Sequence, residues 1–180
     1  FSDPLADGVT IQRASFQALQ QGVTLESCLE TCARLRHQGV RVPLVLFGYY
    51  NPILSYGIER LAQDTAAVGA DGFIVADLPG EEATPFTQAC EGQGLGNIPL
   101  LASTSTEERV ARACASAHGF VYCVSVTGVT GARSDLPSEA PQLVSLVRRH
   151  TSLPIAVGFG ISRRDHVESL EAYTDAVVVG

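Results

Sequence analysis

Two residue types are missing from these 180 residues: methionine, even at position 1, and lysine, so that every strongly basic side chain is arginine. Without lysine, this segment cannot perform Schiff-base aldol chemistry, hold pyridoxal phosphate covalently, or supply the phosphate-binding lysine of a P-loop. The missing initiator, together with a strand-like ending at Asp175-Ala176-Val177-Val178-Val179, leads us to expect a fragment of a longer chain. There is no basic run, and 12 basic residues against 19 acidic ones give a formal charge of −7, which argues against nucleic acid as the partner. No apolar stretch approaches the roughly 20 residues needed to cross a bilayer, and the start does not read as a signal peptide. The expectation is a cytoplasmic protein without a membrane partner, or a plastid one if the source is a photosynthetic eukaryote.

Metal chemistry is disfavoured by spacing. Cys28, Cys32, Cys90, Cys114 and Cys123 contain no C-x-x-C pair, and His37, His118, His150 and His166 form no H-E-x-x-H pattern. Cys28 and Cys32 fall on the stripe Leu25, Cys28, Leu29, Cys32, Leu35 and read as small buried thiols. His166 reads as lying on a solvated helix face.

With 46% hydrophobic and 17% charged residues, the chain is suited to a single domain over 1–180, burying roughly 70% of its unfolded surface. Nearly continuous apolar runs at Val42–Phe47, Phe73–Ala76, Ile98–Ala102, Phe120–Val124, Ile155–Val157 and Ala176–Val179 suit parallel strands covered on both faces. Helical stripes lie between them: Ile11, Ala14, Ser15, Ala18; Val110, Ala113, Cys114, Ala117; Ala140, Leu143, Val144, Val147. Thr104 followed by Glu107 fits a capping box.

Alternation of this kind leaves an open doubly wound sheet or a (β/α)8 TIM barrel, the α/β fold that takes about 250 residues when complete. The residues after the strands favour the barrel, incomplete here with about six of its eight strands. Tyr49-Tyr50-Asn51-Pro52, Asp77-Leu78-Pro79, Ser103-Thr104-Ser105, Ser125 to Gly131, Gly158-Phe159-Gly160 and Gly180 would converge on the face where barrels place their chemistry.

Three constellations on that face bear chemistry. Gly158-Phe159-Gly160 before a helix, with Gly180, offers backbone N–H groups to a phosphate, or simply makes tight turns. Ser125 to Pro137 is longer than a common βα loop and reads either as a lid or as a surface loop. Phe1-Ser2-Asp3-Pro4-Leu5-Ala6-Asp7-Gly8 carries two carboxylates ahead of a helix: Asp3 before Pro4 reads as a turn former, and Asp7 before Gly8 as turn chemistry or a helix N-terminal acid in the first instance, with a reacting group as the alternative.

That opening run with Thr10-Ile11-Gln12, and Tyr49-Tyr50-Asn51-Pro52, Ala76-Asp77-Leu78-Pro79, Gly128-Val129-Thr130-Gly131 and Gly158-Phe159-Gly160-Ile161-Ser162, resembles the tryptophan synthase alpha chain family in order along the whole sequence. The resemblance implies a (β/α)8 barrel that cleaves indole-3-glycerol phosphate to indole and glyceraldehyde 3-phosphate, a lyase step of tryptophan biosynthesis. It also implies partnership with, or fusion to, a beta chain in an alpha2beta2-type assembly. Pyridoxal phosphate belongs to that beta chain and no cofactor to this one.

Position by position, Asp7 matches the family's catalytic aspartate, which holds the indole N–H and stabilises positive charge as ring carbon C3 is protonated. Tyr122 matches a tyrosine of the indole pocket, and Phe47, Tyr49 and Ala76 fall where substrate-pocket residues lie, although barrel packing would also account for them. Thr130 matches the lid threonine that engages the aspartate. Gly131, Gly160 and Gly180 match phosphate-binding glycines. Val126 departs from the usual lid arginine and Val9 from the usual proline. The family's catalytic glutamate precedes the Phe1 motif, so the segment alone is expected to be inactive, since a general acid–base contributes about 100- to 10,000-fold. Two other readings remain: a non-catalytic alpha-like partner of a beta chain, and another phosphate-binding barrel isomerase.

Overall fold

The computed structural model describes residues 7–124, 140–158, 161 and 163–179. The chain divides into two compact units. The first holds residues 9–97, and the second holds Asp7 and Gly8 with residues from Ile98 onward.

The first unit runs α1 (Val9–Gln20), α2 (Leu25–His37), β1 (Val45–Gly48), α3 (Tyr50–Tyr56), α4 (Ile58–Ala67), β2 (Gly72–Val75), α5 (Thr84–Gly92) and β3 (Gly96–Asn97). Its sheet has the order β1-β2-β3, with both pairings parallel. Residues alternate faces along a strand, and Leu46 sits opposite Phe73 in register. Phe73 and Val75 join Leu29, Ile53, Leu61 and Phe86 in the core, with Leu46 packed against it. Phe86 is fully buried, its ring edge-on to Phe73 at 5.3 Å between centroids and to Tyr50 at 6.2 Å. α2 begins with a reciprocal capping box: the Ser27 amide donates to Thr24 Oγ1 (3.3 Å) and the Thr24 amide to Ser27 Oγ (2.9 Å). At the far end of α2, Arg36 donates to the carbonyls of Gly69, Val40 and Val42 and pairs with Asp71 at 2.5 Å.

The second unit continues with β4 (Leu100–Ala102), α6 (Glu107–Ala115), β5 (Val121–Val124), α7 (Ala140–Arg148), β6 (Ile155–Gly158), α8 (Arg164–Leu170) and β7 (Ala176–Val177). The sheet order is β4-β5-β6-β7, again parallel throughout. Val121, Cys123, Ile155 and Val157 point to one side, where Val110, Cys114, Leu143, Val147 and Leu170 from the helices close a core. The predicted stripes of α6 and α7 are the buried faces of those helices.

The structure corrects several expectations in detail. The run Ile98–Ala102 yields a strand only from Leu100, and a separate short strand precedes it. Gly96–Asn97 pair with β2 and Leu100–Ala102 with β5, and between them Pro99 has no N–H to give to a ladder, while its carbonyl accepts from the Tyr122 amide (3.0 Å). The first strand starts at Val45 rather than Val42, whose carbonyl is taken by Arg36. α6 starts at Glu107, so its cap is Thr106, accepting from the Arg109 amide (3.3 Å), and Thr104 lies too early to serve. His166 is buried, not solvated: it lies one turn from Leu170 on the inward face of α8. α1 forms where its stripe predicts, yet none of its residues is buried.

Candidate active site

In the first unit, the expected pocket residues lie at or just past the ends of two neighbouring strands. Phe47 is in register with Ile74, and both point away from the side that carries Leu46, Phe73 and Val75. Ala76 follows β2 directly, in a turn, its amide bonded to the Gly48 carbonyl (2.9 Å). Phe47 is 56% exposed, so its ring is no part of this unit's core. Tyr49 is the residue before α3, extended at φ −115° and ψ 156°, and its side chain makes no capping bond. The start of that helix is held from elsewhere: the Tyr50 amide donates to Asp77 Oδ1 at 2.6 Å. Phe47, Tyr49 and Ala76 thus sit at the finishing ends of β1 and β2.

In the second unit, Tyr122 lies on the side of the sheet opposite the helix-covered core, in register with Leu100 and Ala156. Only 3% of it is exposed. Burial pushes its phenol up to about 12, so the group stays a neutral O–H at physiological pH. Its ring lies directly over Gly158: a Cβ at that position would collide with Tyr122 Oη, Cε2 and Cζ. Glycine is required there by close approach, and its backbone φ is not in the left-handed region. Asp7 is half-buried and groups, with the buried Gly8, in this second unit even though it immediately precedes α1 of the first.

The structure therefore brings Phe47, Tyr49 and Ala76 together in one unit, and Asp7, Tyr122 and Gly158 in the other. Phe1 to Ala6, the stretch from Ser125 to Glu139 with Val126, Thr130 and Gly131, and Phe159, Gly160, Ser162 and Gly180 lie outside the described residues. Sequence reasoning missed two relationships, the bond from Tyr50 to Asp77 and the seat of Tyr122 on Gly158. The Ala76-Asp77-Leu78-Pro79 motif was a signal for the first, but it gives no hint of which amide the carboxylate holds.

Among the described residues no cluster of His, Cys, Asp and Glu could hold a metal ion, and no helix is long and apolar enough to cross a membrane. All five cysteines are free thiols, four of them buried.

A family model described as tryptophan synthase alpha chain matches residues 1–180. The tryptophan synthase alpha chain of Roseiflexus castenholzii is 56% identical over 179 residues, covering 99% of this chain and 69% of that protein. The tryptophan synthase of Saccharomyces cerevisiae is 49% identical over 181 residues, which are 26% of its length. Among solved structures, a chain of the tryptophan synthase a2b2 complex from Pyrococcus furiosus superposes with a TM-score of 0.91 at 39% identity, over 100% of this chain and 73% of that one.

Proposed function

The chain belongs to the tryptophan synthase alpha chain family, and on that premise we propose that Asp7 is its catalytic aspartate and that Tyr122, Phe47, Tyr49 and Ala76 are substrate-binding residues. Its fold class is the α/β (β/α)8 barrel, incomplete over these residues. Its reaction is the lyase step of tryptophan biosynthesis that cleaves indole-3-glycerol phosphate to indole and glyceraldehyde 3-phosphate. It works with a tryptophan synthase beta chain in an alpha2beta2 assembly.

Cleavage of the bond between indole C3 and the glycerol chain requires C3 to be protonated first, which places positive charge on the ring nitrogen. A carboxylate at the N–H stabilises that charge in the transition state more than in the bound substrate, and this difference accelerates the step. Asp7 is assigned that role. Tyr122, neutral and buried, gives the flat ring an apolar wall, since an ionised phenol beside it would repel the aspartate. Phe47, Tyr49 and Ala76 are assigned to the pocket's aromatic and small-residue lining. Thr130 is assigned to the lid, and the amides of Gly131, Gly160 and Gly180 to the phosphate, where backbone dipoles bind an anion without lysine. The reaction so read needs no cofactor on this chain, pyridoxal phosphate serving the beta chain. Residues 1–180 are read as part of one domain of a cytoplasmic or plastid enzyme.

The observation that carries this reading is the packing of Asp7 with the unit that bears Tyr122 and Gly158, when its place in sequence would put it with α1. Asp7→Asn in the full-length enzyme with its beta chain should lower release of indole from indole-3-glycerol phosphate by about 100-fold or more, with unchanged thermal unfolding. Release at the parent rate would overturn the assignment.

A further inference from the structure

α3 is a seven-residue helix whose N-cap residue supplies no side-chain cap. A helix this short is far below the length that is stable by itself. Its flanking residue is tyrosine rather than Ser, Thr, Asp or Asn, and makes no side-chain capping bond. Pro52, in its first turn, has no N–H to satisfy. What holds the first amide is Asp77, 27 residues downstream, through the 2.6 Å bond from the Tyr50 N–H. The same loop after β2 adds a second tie, from the Ala76 amide to the Gly48 carbonyl (2.9 Å). These two bonds flank Tyr49 on both sides in the chain, at Gly48 and at Tyr50. Buried Ile53 and the edge contact of Tyr50 with Phe86 anchor the helix body, and Asp77 holds its first amide.

We propose that Asp77 is a positioning residue for substrate binding: its carboxylate, acting as a remote N-cap of α3, fixes the backbone on which Tyr49 meets the indole ring. The inference rests on the pocket assignment of Tyr49 above. Asp77 does not touch the reacting atoms in this account. Its loss weakens substrate binding in the ground state and the transition state alike, which raises KM and leaves kcat in place.

The test is steady-state cleavage of indole-3-glycerol phosphate by the full-length enzyme with its beta chain, for Asp77→Ala and Asp77→Asn. Loss of a cap of this kind is expected to raise KM roughly five- to tenfold in Asp77→Ala with kcat within about twofold. Asp77→Asn, whose amide oxygen still accepts from the Tyr50 N–H, should restore KM. In a Tyr50→Pro background the donor is gone, proline suits the first helical position, and the extended Tyr49 already has the conformation that precedes proline. There Asp77→Ala should add nothing to KM. Parent-like KM in Asp77→Ala, or an equal defect in Asp77→Asn, overturns the proposal, as does a fall in kcat with KM unchanged. If Asp77→Ala does not fold, Asp77→Asn decides alone, a KM more than threefold above the parent counting against the proposal. Failure of the pocket assignment is separable: Tyr49→Ala would then leave KM unchanged while the two Asp77 variants still differed in thermal unfolding.

Discussion

Asp71 and Leu44 are bonded twice. The Leu44 amide donates to the Asp71 carboxylate at 2.6 Å, and the Asp71 amide donates to the Leu44 carbonyl at 2.8 Å. Arg36 grips the same carboxylate oxygen. The second unit repeats the device. The Ile155 amide donates to Asp175 (2.8 Å), the Asp175 amide donates to the Ile155 carbonyl (3.0 Å), and Arg148 pairs with Asp175 at 2.5 Å. In both cases an aspartate just ahead of one strand fastens the start of the preceding strand in the chain, with an arginine from the end of the helix before it.

Asp71→Ala leaves the Leu44 amide and the Arg36 guanidinium without their acceptor. A hydrogen bond to a charged group is worth about 1.5–3 kcal/mol, toward the low end where the carboxylate is about half exposed, as here. Urea unfolding should show a loss of about 1.5 kcal/mol at unchanged m-value. A double-mutant cycle with Arg36→Met should give a coupling above about 0.5 kcal/mol. Additivity of the two substitutions would mean that the shared oxygen is not a point of coupling.

The clamp at Asp175 has a pH signature. The Arg148 guanidinium first, and the Ile155 amide second, hold this carboxyl below the usual carboxylate range. A pKa depressed in the folded state gives stability that is present above the unfolded pKa and lost as pH falls through the folded one. Stability should therefore decline with acid below the ordinary aspartate range, and Asp175→Asn should flatten that decline. Unfolding midpoints measured from pH 6 to pH 2 check this, and an identical acid profile in the variant would contradict it.

The thiols give the opposite slope. Burial, with Glu91 adding to it, pushes Cys90 up to about 12, and burial with Cys114 beside it does the same for Cys123. Raised folded values mean stability that is complete below the ordinary thiol range and lost as pH rises through about 12. Alkylation in native buffer should reach the half-buried Cys28 first. Cys90 and Cys123 should react only at the rate of unfolding. Mass spectrometry of the labelled protein over time reads this directly, and early labelling of Cys123 would show that the β5 core opens locally.

Gly158→Ala tests the seat of Tyr122. The added carbon collides with the hydroxyl and with two ring carbons, so the ring must leave its place or β6 must shift. We expect a loss of roughly 10- to 100-fold in kcat/KM for indole-3-glycerol phosphate, as befits a misplaced pocket wall. Tyr122→Phe should relieve little of this, because two of the three collisions remain. A smaller residue, as in Tyr122→Leu, should restore more. A Gly158→Ala enzyme with parent kinetics would show that the ring yields without consequence.

Much of the architecture was legible because it depends on local periodicity. The stripes Val110, Ala113, Cys114, Ala117 and Ala140, Leu143, Val144, Val147 are buried faces, and each predicted apolar run overlaps a parallel strand. What escaped depends on partners far apart in sequence. The carboxylate of Asp77 serves an amide 27 residues earlier, and Arg36 meets Asp71 35 residues later. His166 looked polar by type, but its register with Leu170 turns it inward. α1 shows the converse: its stripe Ile11, Ala14, Ser15, Ala18 satisfies a helical pattern, yet Ile11 stays 42% exposed and no residue of the helix is buried, because periodicity specifies a face without supplying what covers it. For the site, motif likeness singled out Tyr122 and Ala76, whereas the need for glycine at 158 emerges only from the path of the tyrosine ring.

The paired clamps tie down the beginnings of β1 and β6, whereas Phe47, Tyr49 and Gly158 belong to the endings of those same strands. Anchorage and chemistry are thus assigned to opposite termini of each strand. Side chains past the strand ends can be retuned for a new ligand, provided the ties from Ala76 and Asp77 are kept, while the fastenings at the strand starts of each unit go untouched.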